Sequence, residues 1–183
     1  MSKFTIDAFA FADRAHCGQL RRGTSGEPYI LHPLRVAGLV KDAGGDDVAR
    51  AAAYLHDVLE DTDVMPSVLE SKFGGAVTEI VLEVTRPAGM TSKAYWAHLL
   101  EAAPRMSHAA RLIKVADAVD NVRDIARDPT IWGPKRVREY VEAKEALIAA
   151  IGEPWPELVN LFEAEAAKVR AHLSSLTERT KET

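Results

Sequence analysis

The sequence predicts an all-α protein that folds as a single-domain helical bundle. Apolar residues recur at helical spacing near the start of the chain, at Phe4, Ala8, Phe11 and Ala15. We find no convincing strand alternation and no internal repeat. Residues 80–85 are rich in β-branched side chains, but their flanks and length favour a helix. Because the predicted helices are joined by short connections, they are expected to pack as one bundle.

The composition is that of a globular domain with a substantial core. The chain has 183 residues, of which 47% are hydrophobic and 27% are charged. A net charge of -4 argues against general nucleic-acid binding, and no apolar run approaches the roughly 20 residues that cross a bilayer. A single cysteine excludes an internal disulfide and fits a reducing compartment, and the N-terminus does not resemble a secretion signal. We therefore expect a cytoplasmic protein.

Capping and breaking residues divide the chain into helices. Proline at a helix start, Asp or Ser at a cap and glycine at an end set the boundaries. Candidate caps are Asp46 or Asp47, Thr91 or Ser92, and Ser107. We expect one domain over residues 1–173 and a polar tail over 174–183. The predicted helices cover residues 4–20, 33–40, 47–61, 66–73, 77–86, 92–103, 109–127, 135–151 and 155–173.

Residues 54–62 concentrate reactive side chains in one short stretch. His56 and Glu60 lie four apart, as do Asp57 and Asp61, so each pair would share one face of a helix. Burying unpaired ionised groups is costly, whereas a divalent cation would make such a cluster favourable. The alternative interpretation is an exposed acidic helix end beside a core histidine.

Other parts of the chain offer partners for such a cation. His32, the adjacent pair His56 and Asp57, and Asp117 would form a set of two imidazoles and two carboxylates. This set suits manganese, iron, zinc or nickel better than calcium, and it leaves open positions for catalysis. On the helix that carries Asp117, Asn121 shares its face. Asp120 and Asp124 are interpreted as facing solvent.

Several spaced blocks of the sequence resemble HD-domain hydrolases. The blocks are residues 29–33, 55–62, 73–74, 84–85 and 113–117 together with Asn121. More narrowly, the chain is similar over residues 8–149 to the hydrolase domain of the RelA/SpoT homologues. Since no synthetase domain follows, it resembles the stand-alone small alarmone hydrolases.

The resemblance implies roles for individual residues. It implies a manganese ion held by His32, His56, Asp57 and Asp117, and a catalytic acidic pair, Glu60 and Asp61. It also implies a set of substrate contacts: Arg21 and Arg22 beside the guanine base, Asn121 near the sugar and phosphate, Arg136 and Tyr140 on phosphate, and, where the similarity is loose, Lys93. Asp120 stands where long family members often have histidine.

The implied reaction removes the 3′-pyrophosphate of guanosine tetraphosphate or pentaphosphate, (p)ppGpp, and so lowers the alarmone level. The products are GDP or GTP and pyrophosphate. A related enzyme acting on another nucleotide, such as the 2′-phosphate of NADPH, is one alternative. A catalytically silent nucleotide-binding module and a purely structural bundle are two others. The implied partner is the nucleotide substrate, and neither nucleic acid nor a membrane is expected. Whether a second copy of the chain binds to form a homodimer is left open.

Overall fold

In the part of the chain that the structure describes, the secondary structure is helical apart from an isolated β-bridge between Leu20 and Pro28. The computed structural model describes residues 2–23, 26–152 and 155–179, and the all-α prediction is confirmed within them. None of the described helices is long and apolar enough to cross a membrane. In chain order they are α1 (Lys3–Ala15), α2 (Leu31–Asp42), α3 (Asp47–Leu55), α4 (Val58–Asp61), α5 (Pro66–Phe73), α6 (Gly75–Val84), α7 (Ser92–Ala102), a 3-10 turn (Ala103–Arg105), α8 (His108–Arg127), α9 (Pro134–Ile151) and α10 (Pro156–Arg179).

Helix α8 lies at the centre of the bundle. It contacts α2, α3, α6, α9 and α10, and α1 packs against α3 on one side. The predicted apolar stripe of α8, Leu112, Val115, Val119 and Val122, is buried. Burying each such side chain stabilises the fold by about 1.5–3 kcal/mol relative to leaving it in water. Because α8 is packed on most sides, four of its charged residues are also buried: Lys114, Asp117, Asp120 and Asp124.

Side chains cap three of these helices at predicted positions. Asp46 accepts a hydrogen bond from the Ala49 backbone N–H at 2.8 Å. Thr91 caps α7, and Ser107 caps α8. Each such cap is worth roughly 0.5–2 kcal/mol, and together the caps fix the starts of α3, α7 and α8, which all bear on the site described below.

The predicted continuous helix through residue 61 is broken at His56 and Asp57. His56 Nδ1 donates to the Ala53 carbonyl at 2.8 Å, which ends α3. The Asp57 carbonyl then accepts from the backbone N–H groups of Glu60 and Asp61, at 3.2 and 2.9 Å, and begins α4. The prediction of one continuous helix is therefore wrong: His56 ends α3 and shares no helix with Glu60, whereas Asp57 and Asp61 remain one turn apart. The break leaves His56 Nε2 3.2 Å from Asp57 Oδ2.

Other helix boundaries differ from the prediction as well, and three of them bear on the site or the tail. Helix α1 ends at Ala15 rather than at residue 20, and Gly18, at φ +80°, turns the chain toward the bridge at Leu20. Helix α2 begins at Leu31, so its first turn includes His32. Helix α10 continues to Arg179, past the predicted end at residue 173. The last four residues of the predicted tail lie outside the described ranges.

Candidate metal centre and adjoining cavity

Four predicted ligands meet at one point between α2, α8 and the break after α3. His32 Nε2 lies 3.3 Å from Asp117 Oδ1 and 3.6 Å from Asp57 Oδ2. His56 Nε2 lies 3.2 Å from the same Asp57 oxygen and 3.9 Å from the same Asp117 oxygen. His32, His56 and Asp57 form a group able to hold a metal ion, and Asp117 Oδ1 lies beside both imidazoles of that group. The structure thus brings together residues that are up to 85 positions apart in the chain.

Both imidazoles are held with Nε2 directed into this centre. His32 Nδ1 lies 2.7 Å from Asp120 Oδ2, and His56 Nδ1 lies 2.8 Å from the Ala53 carbonyl. These acceptors place the proton on Nδ1 and leave the Nε2 lone pair free, as in many histidine–metal sites. His56 Nε2 is buried and has no hydrogen-bond partner. An unpaired buried nitrogen is costly, so a divalent cation fits the donors that surround it.

The two carboxylates of the centre are held ionised. Burial alone raises the pKa of Asp57, but His56 and His32 outweigh it and lower that pKa. Burial also acts on Asp117, where Lys144 and His32 hold the pKa well below its usual range. Two carboxylate oxygens facing two imidazole nitrogens form the mixed donor set that suits a transition-metal ion.

The interpretation of Asp120 and Asp124 as solvent-facing is wrong, because both residues are buried. Asp120 accepts from His32 and also from Arg35 Nε, at 2.7 Å. Asp124 Oδ2 accepts from Arg21 Nε and Nη2, at 3.0 and 2.9 Å. The two arginines supply the positive charge that buried carboxylates need.

Glu60 and Asp61 lie at the edge of the centre and are exposed. Glu60 Oε2 accepts from the Arg86 backbone N–H at 3.0 Å. The Tyr29 hydroxyl lies 2.8 Å from Asp61 Oδ2 and 2.7 Å from Asp57 Oδ2, so it bridges a metal ligand and a candidate base. Partial removal from water, followed by the charge of Asp57, raises the pKa of both Glu60 and Asp61. A raised pKa favours proton uptake from water.

A cavity of about 610 Å³ opens from the centre. Its lining includes four predicted substrate contacts: Arg21, Asn121, Arg136 and Tyr140. It also contains a group of cations and aromatic rings that sequence reasoning did not single out for substrate: Arg86, Lys114, Lys144, Tyr29, Tyr95, Trp96 and Trp132. Its five cations stand against five carboxylates, Asp57, Glu60, Asp61, Asp117 and Glu139, so a bound divalent cation would make the cavity net positive and favour an anionic ligand.

The two remaining predicted contacts lie elsewhere. Arg22 lines an adjoining cavity of about 480 Å³, which shares Arg21 and Asn121 with the first. Gly23 packs this loop closely: at φ +77°, an added Cβ would lie 2.5 Å from Ile131 Cδ1. Lys93 is exposed on α7 and does not line either cavity. Its role in substrate binding stays a prediction.

Helical spacing could have pointed to the missed residues. Lys144 follows Tyr140 by four positions, and Lys114 precedes Asp117 by three, so each shares a face with a predicted site residue. Lys114 Nζ lies 3.1 Å from the Tyr95 hydroxyl, and Lys144 Nζ lies 2.8 Å from Asp117 Oδ2. Their partners come from other helices, so spacing could suggest these lysines but could not identify what they contact.

A family model described as an HD domain matches residues 8–141. The chain belongs to the HD-domain family. The guanosine-3′,5′-bis(diphosphate) 3′-pyrophosphohydrolases MESH1 of Mus musculus and Homo sapiens are each 39% identical to it over 140 residues, which are 75% of this chain and 78% of each relative. The resemblance to HD-domain hydrolases of the small alarmone type is confirmed.

Two solved structures are similar to this HD-domain protein. One, described as a metazoan ortholog of SpoT that hydrolyses ppGpp and plays a role in starvation responses, has a TM-score of 0.84 at 28% identity, over 90% of this chain and 94% of the other. The second, lmo0812 from Listeria monocytogenes, has a TM-score of 0.64 at 23% identity, over 78% of this chain and 99% of the other. The second match supports the fold alone.

Proposed function

We propose that this HD-domain protein is a metal-dependent hydrolase that removes the 3′-pyrophosphate of (p)ppGpp. The observation that carries the proposal is the opening of a two-histidine, two-aspartate centre onto a cavity lined with cations and aromatic rings. The relatives named as 3′-pyrophosphohydrolases support the same substrate. The reaction would yield GDP or GTP and pyrophosphate, and it would lower the alarmone level of the stringent response.

The four residues His32, His56, Asp57 and Asp117 would hold the ion. We propose manganese as that ion, which the mixed nitrogen and oxygen donors support. The proposal also places the protein in the cytoplasm. When bound, a divalent ion lowers the pKa of water and polarises a phosphate oxygen.

Glu60 and Asp61 would orient the attacking water and accept its proton. Both carboxylates lie at the cavity edge, and their raised pKa values improve proton transfer near neutral pH. As water adds to the phosphorus that carries the ribose 3′ oxygen, the bond between that phosphorus and the 3′ oxygen breaks. The 3′ oxygen takes up a proton and leaves as the hydroxyl of GDP or GTP, and the attacked phosphorus, with the oxygen from water, becomes part of the pyrophosphate product. Tyr29, by donating to Asp61, would keep that carboxylate directed toward the centre.

The cavity walls would bind the rest of the nucleotide. Arg21 is fixed by Asp124, and its guanidinium carbon lies 5.4 Å from the centre of the Tyr29 ring. A guanidinium held in this way can stack on a purine or pair with phosphate oxygens. Arg136 lies 4.4 Å from the centre of the Trp132 ring, so one surface offers both a charge for phosphate and an aromatic face.

Product analysis tests the proposal. Metal-free protein is incubated with ppGpp, with and without added manganese, and nucleotides and pyrophosphate are quantified. We expect manganese-dependent formation of GDP and pyrophosphate in equal amounts. A parallel incubation with NADPH is the matched comparison, because release of inorganic phosphate from NADPH alone would favour the alternative substrate. Tight ppGpp binding without turnover would instead favour a silent binding module.

A further inference from the structure

We propose that Lys144 is a positioning residue with two effects on the metal centre. It allows only one carboxylate oxygen of Asp117 to bind the cation, and it lowers the affinity of the centre for that cation. The proposal rests on the metal centre of the proposed function. Nothing in the sequence resemblance gives this lysine a role.

The carboxylate of Asp117 is divided between two neighbours. Its Oδ1 faces the centre, 3.3 Å from His32 Nε2 and 3.9 Å from His56 Nε2, and it also accepts from the Asn121 side-chain amide. Its Oδ2 accepts from Lys144 Nζ at 2.8 Å. The ammonium therefore competes with any cation for Oδ2, although a carboxylate can otherwise bind a metal through both oxygens.

The ammonium of Lys144 is fixed in place by its surroundings. The residue is only 5% exposed. Its Nζ lies 5.5 Å from the centre of the Trp96 ring and 5.4 Å from that of Tyr140, within the range of cation–π attraction. Held by two rings and one carboxylate, Lys144 stays beside the metal centre.

A second lysine of the same cavity offers a comparison. Lys114 is also buried, at 8% exposed, but its Nζ donates to the Tyr95 hydroxyl rather than to a carboxylate of the centre. Both lysines are buried within a helix, Lys114 in α8 and Lys144 in α9, and each has an aromatic neighbour on α7. They differ in one respect: of the two, only Lys144 contacts a predicted metal ligand, Asp117.

Lys144 should lower the affinity of the centre for a divalent cation in two ways. Its positive charge repels a divalent ion a few ångströms away, and its hydrogen bond removes one oxygen from the donor set. Removing the charge should therefore tighten metal binding. It should also let Asp117 use both oxygens, which would fill a position that catalysis needs open, and turnover should fall.

The test is a manganese titration of metal-free protein, in which the electron paramagnetic resonance signal reports the free ion. For Lys144→Met we expect a dissociation constant lower by about tenfold, because the repelling charge is lost. Lys144→Arg keeps the charge and should stay near the wild-type value. Lys114→Met is the matched control and should change the constant by less than about twofold, since Lys114 does not contact a ligand.

Unchanged or weaker manganese binding by Lys144→Met would overturn the proposal. If that variant does not fold, as judged by circular dichroism in chelator, Lys144→Gln replaces it, because glutamine can donate to Asp117 without a charge. It too should bind manganese more tightly than wild type. The titration needs no nucleotide, so its outcome stands even if ppGpp is not hydrolysed. Where ppGpp is hydrolysed, kcat should fall in Lys144→Met with little change in KM.

Discussion

The metal side and the substrate side of the cavity are built in different ways. On the metal side, His32 and His56 are 1% and 3% exposed, and a second residue holds the Nδ1 atom of each imidazole. On the substrate side, Arg136 is exposed and contacts an aromatic ring, Trp132. The centre is thus fixed by burial, whereas Arg136 offers a charge that remains in water. We expect all-or-none effects from changes on the first side and graded effects on the second.

The largest effect is expected from His56→Ala. His56 supplies a buried Nε2 to the centre, so its loss should abolish both bound manganese and ppGpp hydrolysis. Elemental analysis of the purified variant measures the metal, and circular dichroism checks that the helices remain. Full metal occupancy in a folded His56→Ala protein would contradict the ligand assignment.

An intermediate effect is expected from Glu60→Gln. Glu60 lies at the cavity edge and is absent from the ligand group, so the variant should keep its metal. Loss of a general base should lower turnover by roughly 10²–10⁴-fold. Initial rates of product formation at saturating ppGpp measure kcat, and an unchanged kcat would remove Glu60 from the mechanism.

The pH profile gives this variant a second readout. A base must be ionised to accept a proton, so wild-type activity should fall as pH drops through the pKa of that carboxyl. Because the pKa of Glu60 is raised, the acid limb should lie above the pH expected for an ordinary glutamate. If Glu60 is the base, the residual activity of Glu60→Gln should lose or shift that limb. The same limb in both proteins would assign it to another group, with Asp61 the first to test.

The smallest effect is expected from Arg136→Ala. An exposed charge contributes up to about 1 kcal/mol, so KM for ppGpp should rise by about fivefold at low salt and by less at high salt. Lys135→Ala is the matched control, because Lys135 is the neighbouring cation on α9 but pairs with Glu139 and does not line the cavity. Equal changes in KM for the two variants would indicate a general surface-charge effect.

Local sequence patterns predicted the helices, and the resemblance to HD-domain hydrolases implied the four residues of the centre, but neither predicted the residues that support it. Caps such as Asp46 depend on adjacent residues, so they could be read directly. The burial of Asp120 and Asp124 depends on Arg35 and Arg21, which lie 85 and 103 positions away. A carboxylate on a helix is predicted to face solvent unless such a distant partner is known. The break at His56 was missed because no glycine or proline, the usual signals of a helix end, lies beside it.

Helix α8 carries Asp117, Asp120, Asn121 and Asp124, and these side chains meet partners on different neighbouring segments. Each residue of an α-helix is rotated by about 100° from the one before it. One inserted or deleted residue between positions 117 and 124 would therefore turn the downstream side chains away from their partners by that angle. Evolution can lengthen the surface connections of such a protein, but the spacing within α8 leaves no room for a change in chain length.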